Sequence, residues 1–98
     1  MKRFLYVTWQ RGAAEDPKPV RVRRNWLWPF SRNVTFGRTI FEGGPLGMND
    51  PTTRHELWHV RQYELNGWWW VWRNRAVSEA DARLFERADY PKFRLVTQ

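Results

Sequence analysis

Asp50-Pro51 and Asn66-Gly67 bracket the stretch that most restricts what this chain can become. An aspartate at a helix boundary caps free backbone N–H groups, and a proline in the first turn gives up an N–H that has no partner there. Asn-Gly is the matching stop, because glycine readily takes the left-handed conformation that ends many helices. One helix of about four turns is expected between these signals. Before it the period is different. Phe4 to Trp9 is aromatic and β-branched, Val20-Arg21-Val22-Arg23 alternates with period two, and Val34 to Phe41 is again strand-like. Gly12, Pro17 and Pro19 punctuate the first interval, Pro29, Ser31 and Asn33 the second, and Gly43-Gly44-Pro45-Leu46-Gly47 ends the strand region. Beyond the helix, residues 68–75 fit either a helical continuation or a connector. Ser78 then precedes a further helix from Glu79 to about Asp89, with Asp81 three residues after the cap and Tyr90-Pro91 closing it. A strand region followed by helices reads as α+β.

At 98 residues the chain has room for one domain, 1–98, since a second core would need roughly another 50 residues. Cysteine is absent, which excludes disulfide staples, thiolate zinc fingers, thiol nucleophiles and iron–sulfur clusters. After Lys2-Arg3 only Phe4 to Val7 is apolar, too short for the core of a signal peptide. The run Trp68 to Trp72 is far below the roughly 20 residues of a membrane-spanning helix, so no transmembrane segment is expected. The chain therefore reads as one made and kept inside the cell, cytoplasmic, and its compactness suits a phage or mobile-element product.

Chemistry concentrates in the best-supported helix. His55-Glu56-Leu57-Trp58-His59 is a His-Glu-x-x-His pattern, and it contains both histidines of the chain. Residues four apart differ by only about 40° around a helix, so both imidazoles project from one face and can meet one ion at roughly 2.0–2.1 Å. Glu56 lies about 100° from His55, able to reach a water on the metal without being a ligand, which is where a general base belongs. Zinc lowers the pKa of its water towards roughly 7, and an adjacent carboxylate can then accept the proton and pass it to a leaving amine. The bland alternative is a polar face on a surface helix.

A catalytic zinc takes three protein ligands and keeps one position open. With no third histidine, the third ligand must be a carboxylate. Glu64 is five residues beyond His59, about 140° around the helix, and points away. Glu79 and Asp81 begin the next helix and can fold back against the first. Glu79 is the better candidate, since at a helix start it can face inward while Ala80, Ala82 and Ala88 permit close packing. Its competing reading is a charge placed favourably at a helix N-terminus.

The segment from about Val34 to Tyr90 resembles the gluzincin clan of zinc metallopeptidases, the thermolysin-like enzymes, and particularly their small single-domain forms, the minigluzincins. His55-Glu56-Leu57-Trp58-His59 matches the clan's zinc-binding helix, and the 20 positions from His59 to Glu79 suit its separate glutamate ligand. His59-Val60-Arg61-Gln62 is also similar to short bacterial peptidase domains, including those associated with contractile injection systems. The resemblance implies a zincin-like minimal domain, with a small N-terminal β-sheet, an active-site helix and a third-ligand helix. It implies Zn2+ held by His55, His59 and Glu79, and peptide-bond hydrolysis by a zinc-bound water that Glu56 activates. Its substrate would be a peptide or protein, paired in extended form along Val34 to Phe41 at the cleft. There are departures. The clan often has an acidic residue four positions after the glutamate ligand, orienting a metal-binding histidine; here that position is Arg83, which leaves Asp81 or Glu86 for the task. No spare histidine exists to steady the oxyanion, and Tyr63 and Tyr90 are the hydroxyls that remain.

Two further features carry alternative readings. Trp68-Trp69-Trp70-Val71-Trp72 suggests a membrane-surface anchor or a hydrophobic substrate pocket, but reads first as core filling in a small domain, as do Trp26 and Trp28. The charge is lopsided. Residues 1–38 hold nine basic side chains against Glu15 and Asp16, whereas 39–98 hold eight of each sign, so the whole formal charge of +7 lies in the N-terminal part. A basic, aromatic surface can bind nucleic acid or an anionic surface, with the histidines merely structural. No defined nucleic-acid motif is present, and a solvated face or one that attracts an acidic substrate explains the charge as well. No stable nucleic-acid partner is therefore expected, and a metal-binding pseudoenzyme is the third reading.

Overall fold

The computed structural model describes residues 2–9, 18–24, 33–43, 50–88 and 90–98. In chain order the elements are β1 (Arg3–Thr8), β2 (Val20–Arg24), β3 (Val34–Phe36), β4 (Thr39–Glu42), α1 (Asp50–Arg73), α2 (Arg75–Phe85) and β5 (Lys92–Thr97). The class is α+β. Five strands form one sheet in the order β3-β4-β2-β1-β5, antiparallel except for the parallel pair β2 and β4. Trp26 and Trp28, the punctuating residues Gly12, Pro17, Pro29 and Ser31, the turn 44–47 and Asp89 lie outside the described residues.

Alternation along the strands decides which face is buried. Leu5, Val7, Val20, Val22 and Ile40 point to one side and pack with Leu57 and Val60 of α1, with Trp9 and Phe93 against the cluster. Burying a side chain the size of Leu57, fully enclosed here, contributes about 1.5–3 kcal/mol. Leu57 and Val60 are three apart, so one stripe of α1 lies on the sheet and the neighbouring stripe is left for α2 and the site.

Three features differ from what the sequence implies. Val34 to Phe41 is a hairpin, with Phe36 opposite Thr39 across a two-residue turn. Gly37 supplies the positive φ of 61° that such turns need, and a Cβ there would lie 3.3 Å from the Trp68 ring. The sheet also recruits the C-terminus: β5 pairs along all of β1, from Arg3 opposite Thr97 to Thr8 opposite Lys92. Third, α2 begins at Arg75, not after Ser78, and ends at Phe85. The Ser78 hydroxyl donates backwards to the carbonyls of Asn74 at 3.1 Å and Val71 at 3.4 Å instead of capping forward. Of the three alanines thought to ease packing, Ala82 is fully buried while Ala80 is exposed. The stop at Gly67 is real (φ 81°, ψ 166°), and of the two alternatives for the stretch after it the helical one holds, through 68–73 beyond the kink.

That short continuation corrects the core-filling reading of its tryptophans. Val71 faces inward at 6% exposure, whereas Trp69 is 77% exposed and Trp68 and Trp72 are about half in solvent. Four indoles in five positions exceed what one face of a single helical turn can bury. Trp68 instead rests on Phe36 and Tyr63, at ring-centroid distances of 4.4 and 5.2 Å. Among the described residues no helix is long and apolar enough to cross a membrane.

Candidate metal centre

The regular part of α1 aligns His55 and His59 on the stripe that faces α2, and their Nε2 atoms lie 3.3 Å apart. Two ligands of a tetrahedral ion at 2.0–2.1 Å would be separated by about 3.3–3.4 Å. Glu79 completes the set from α2, with Oε2 3.1 Å from His55 Nε2 and Oε1 3.0 Å from His59 Nε2. These three residues can hold a metal ion. Because α2 starts earlier than expected, Glu79 is in its second turn and no acidic residue occupies the first, so a helix-dipole role does not account for it.

Both imidazoles are oriented from behind. His55 Nδ1–H donates to Glu86 Oε2 at 2.9 Å, and His59 Nδ1–H donates to Gln62 Oε1 at 2.9 Å. Gln62 is itself fixed, since its Nε2 donates to the Ser78 carbonyl at 3.0 Å. With Nδ1 carrying the proton on each ring, the Nε2 lone pairs turn inward, the arrangement that metal-binding histidines require. Burial holds the His59 pKa below the ordinary histidine range; Glu79 and Gln62 act in the opposite direction and His55 reinforces the lowering. The neutral, ligating form is thereby favoured.

Glu56 stands beside this group and not within it. It is 5% exposed, and burial raises its pKa to about 7, opposed by the Thr35 hydrogen bond and by His55, and assisted by the charge of Glu79. Thr35 Oγ1 donates to Glu56 Oε2 and also to the Glu56 carbonyl, the latter at 3.2 Å, which ties the carboxyl to β3. Tyr63 donates from its hydroxyl to the Thr35 carbonyl at 3.3 Å, and burial raises its pKa. A cleft of about 640 Å³ opens over the group, walled by Asn33, Val34 and Thr35 on one side and by α2 on the other.

The sequence candidates thus come together: His55, His59, Glu79 and Glu56 line one cleft. Of the two acidic residues left to orient a histidine, Glu86 does so and the exposed Asp81 does not. Glu64 points elsewhere, pairing with Arg38 of the hairpin turn and with Arg61. Of the two tyrosines, Tyr63 lines the cleft. Gln62 and Thr35 escaped the sequence reading. Gln62 had a usable signal, three residues after His59 on the same helical face; Thr35, distant in sequence, had none.

Such a site ties stability to metal. Chelation of zinc-loaded protein is expected to lower its melting temperature by about 10–20 °C where free zinc had been a hundredfold above Kd, since the ion stabilises only the folded state. Calorimetry with and without chelator checks this, and an unmoved transition after verified zinc removal would argue against a specific site. The chain matches no family model, no curated protein and no solved structure.

Proposed function

We propose that this protein is a zinc-dependent metallopeptidase of the gluzincin type. The observation that carries the reading is the convergence of His55 Nε2, His59 Nε2 and the Glu79 carboxylate at 3.0–3.3 Å, with both rings oriented through Nδ1 and a buried carboxyl alongside. When bound there, zinc supplies Lewis-acid chemistry, acidifying a water and polarising a carbonyl. The chain's own residues do the rest. Glu56 takes the proton of the attacking water and delivers it to the departing amine, with Thr35 fixing which oxygen is presented. The β3 rim borders the cleft and is an edge of the described sheet, which suits an extended peptide laid alongside it. Purified protein loaded with zinc should cleave members of a mixed peptide library. Zinc bound near one per chain without any cleavage would leave a metal-binding pseudoenzyme instead.

A second reading has its own observation. On the sheet face opposite the core, register places Phe4 beside Arg21 and Tyr6 beside Arg94, with Arg23 and Lys92 on the same side. Arg94 lies over the Tyr6 ring at 4.7 Å. Cations interleaved with rings are the means by which sheets hold single-stranded nucleic acid. Under the peptidase reading, replacing Arg21, Arg23 and Arg24 together should leave zinc content unchanged, and any effect on turnover should fade at high salt. Tight, salt-sensitive binding of single-stranded nucleic acid by metal-free protein would put the second reading first.

A further inference from the structure

The wall that α2 offers to the cleft repeats every four residues as Arg75, Glu79 and Arg83. Both arginines are exposed, and neither has an ion pair among the described residues. Glu79, one turn from each, turns its carboxylate to the histidines. The Arg75 guanidinium lies over the Trp72 ring at 5.3 Å, a cation–π contact that uses the ring face and none of the guanidinium's hydrogen-bonding capacity. The facing wall of Asn33, Val34 and Thr35 brings no charge, and the Glu56 carboxyl is buried. Among the described residues the cleft therefore presents, on its α2 wall, a cation without an ion pair one turn to either side of Glu79.

Spacing turns this into a substrate class. Four residues along a helix advance about 6 Å, and an extended peptide advances about 3.3 Å per residue. The backbone positions of Arg75 and Arg83 thus lie about two substrate residues to either side of Glu79 along α2. We propose that Arg75 and Arg83 select peptides carrying a carboxylate within about two residues of the bond to be cut, on either side. The carboxylate is that of an Asp or Glu side chain or of the peptide's own C-terminus, because either matches the planar, two-pronged donor of arginine. The formal charge of +7 attracts the same ligands at longer range. This inference rests on the metallopeptidase reading for the bond cleaved, but not for the binding it describes.

The test uses the zinc-loaded Glu56→Gln variant and capped hexapeptides in which a single Glu replaces Gln at each position in turn, together with C-terminal acid and amide forms. Affinity is measured by calorimetry at low and high salt. The expected result is at least about 10-fold tighter binding of acid-bearing peptides, diminished by salt. R83Q and R75Q should each abolish the preference at one end while zinc content and melting temperature stay unchanged. A preference confined to the terminal acid identifies that source, and one that follows the Glu position identifies the side chain. Equal affinity for acid and amide peptides, a preference that survives in the R75Q/R83Q double variant, or no peptide binding at all would overturn the inference. The peptidase reading fails separately, if the parent protein holds zinc and cleaves nothing.

Discussion

Under the proposed peptidase function, Glu56→Gln is expected to fold and retain zinc as the parent does while peptide cleavage falls by at least about 100-fold, the lower end of what a positioned acid or base contributes. The substitution keeps the side-chain shape. The amide can still accept the Thr35 hydrogen bond through its oxygen, but it has lost the basic oxygen that takes a proton. Zinc retention should be unaffected, because the group that could hold a metal ion is His55, His59 and Glu79 and does not include Glu56. Elemental analysis and cleavage of a mixed peptide library, on parent and variant purified side by side, check both halves. A variant that cleaves as fast as the parent would remove Glu56 from the mechanism and point to a contaminating activity.

Glu79→Ala should weaken zinc affinity by more than about 100-fold, beyond the roughly 10–100-fold typical of residues that only orient a ligand. Glu86→Ala belongs in that lesser range, since Glu86 holds His55 through Nδ1 and offers nothing to the ion. Glu64→Ala should change nothing, its carboxylate being engaged with Arg38 and Arg61. Competition against a chromophoric chelator ranks the three variants. Equal zinc affinity in Glu79→Ala and Glu64→Ala would sink the ligand assignment.

What was legible in the sequence follows from range. His55, Glu56 and His59 share one helix, so their mutual placement depends on local geometry alone, and the Asp50-Pro51 and Asn66-Gly67 signals fixed that helix well enough to use. Glu79 follows by elimination among the carboxylates and from the interval after His59 that the gluzincin resemblance implies, although the helix carrying it starts at Arg75. The error at Ser78 has a physical cause. A serine marks a helix start only if its hydroxyl points forward, and here buried backbone carbonyls claim it. The hairpin within Val34 to Phe41 and the pairing of β5 with β1 depend on turn geometry and on contacts across nearly the full chain length, which local period does not encode. The same holds for Thr35, whose role exists only because β3 is laid against α1.

X-ray absorption at the zinc edge, on protein dialysed free of excess metal, examines the proposed centre most directly. The account predicts about one zinc per chain, with a first shell of two imidazole nitrogens and carboxylate or water oxygen at about 2.0–2.2 Å, and the imidazole signal lost in a His55→Ala, His59→Ala double variant. Zinc that dialyses away, or a retained ion whose shell contains no imidazole, would contradict it.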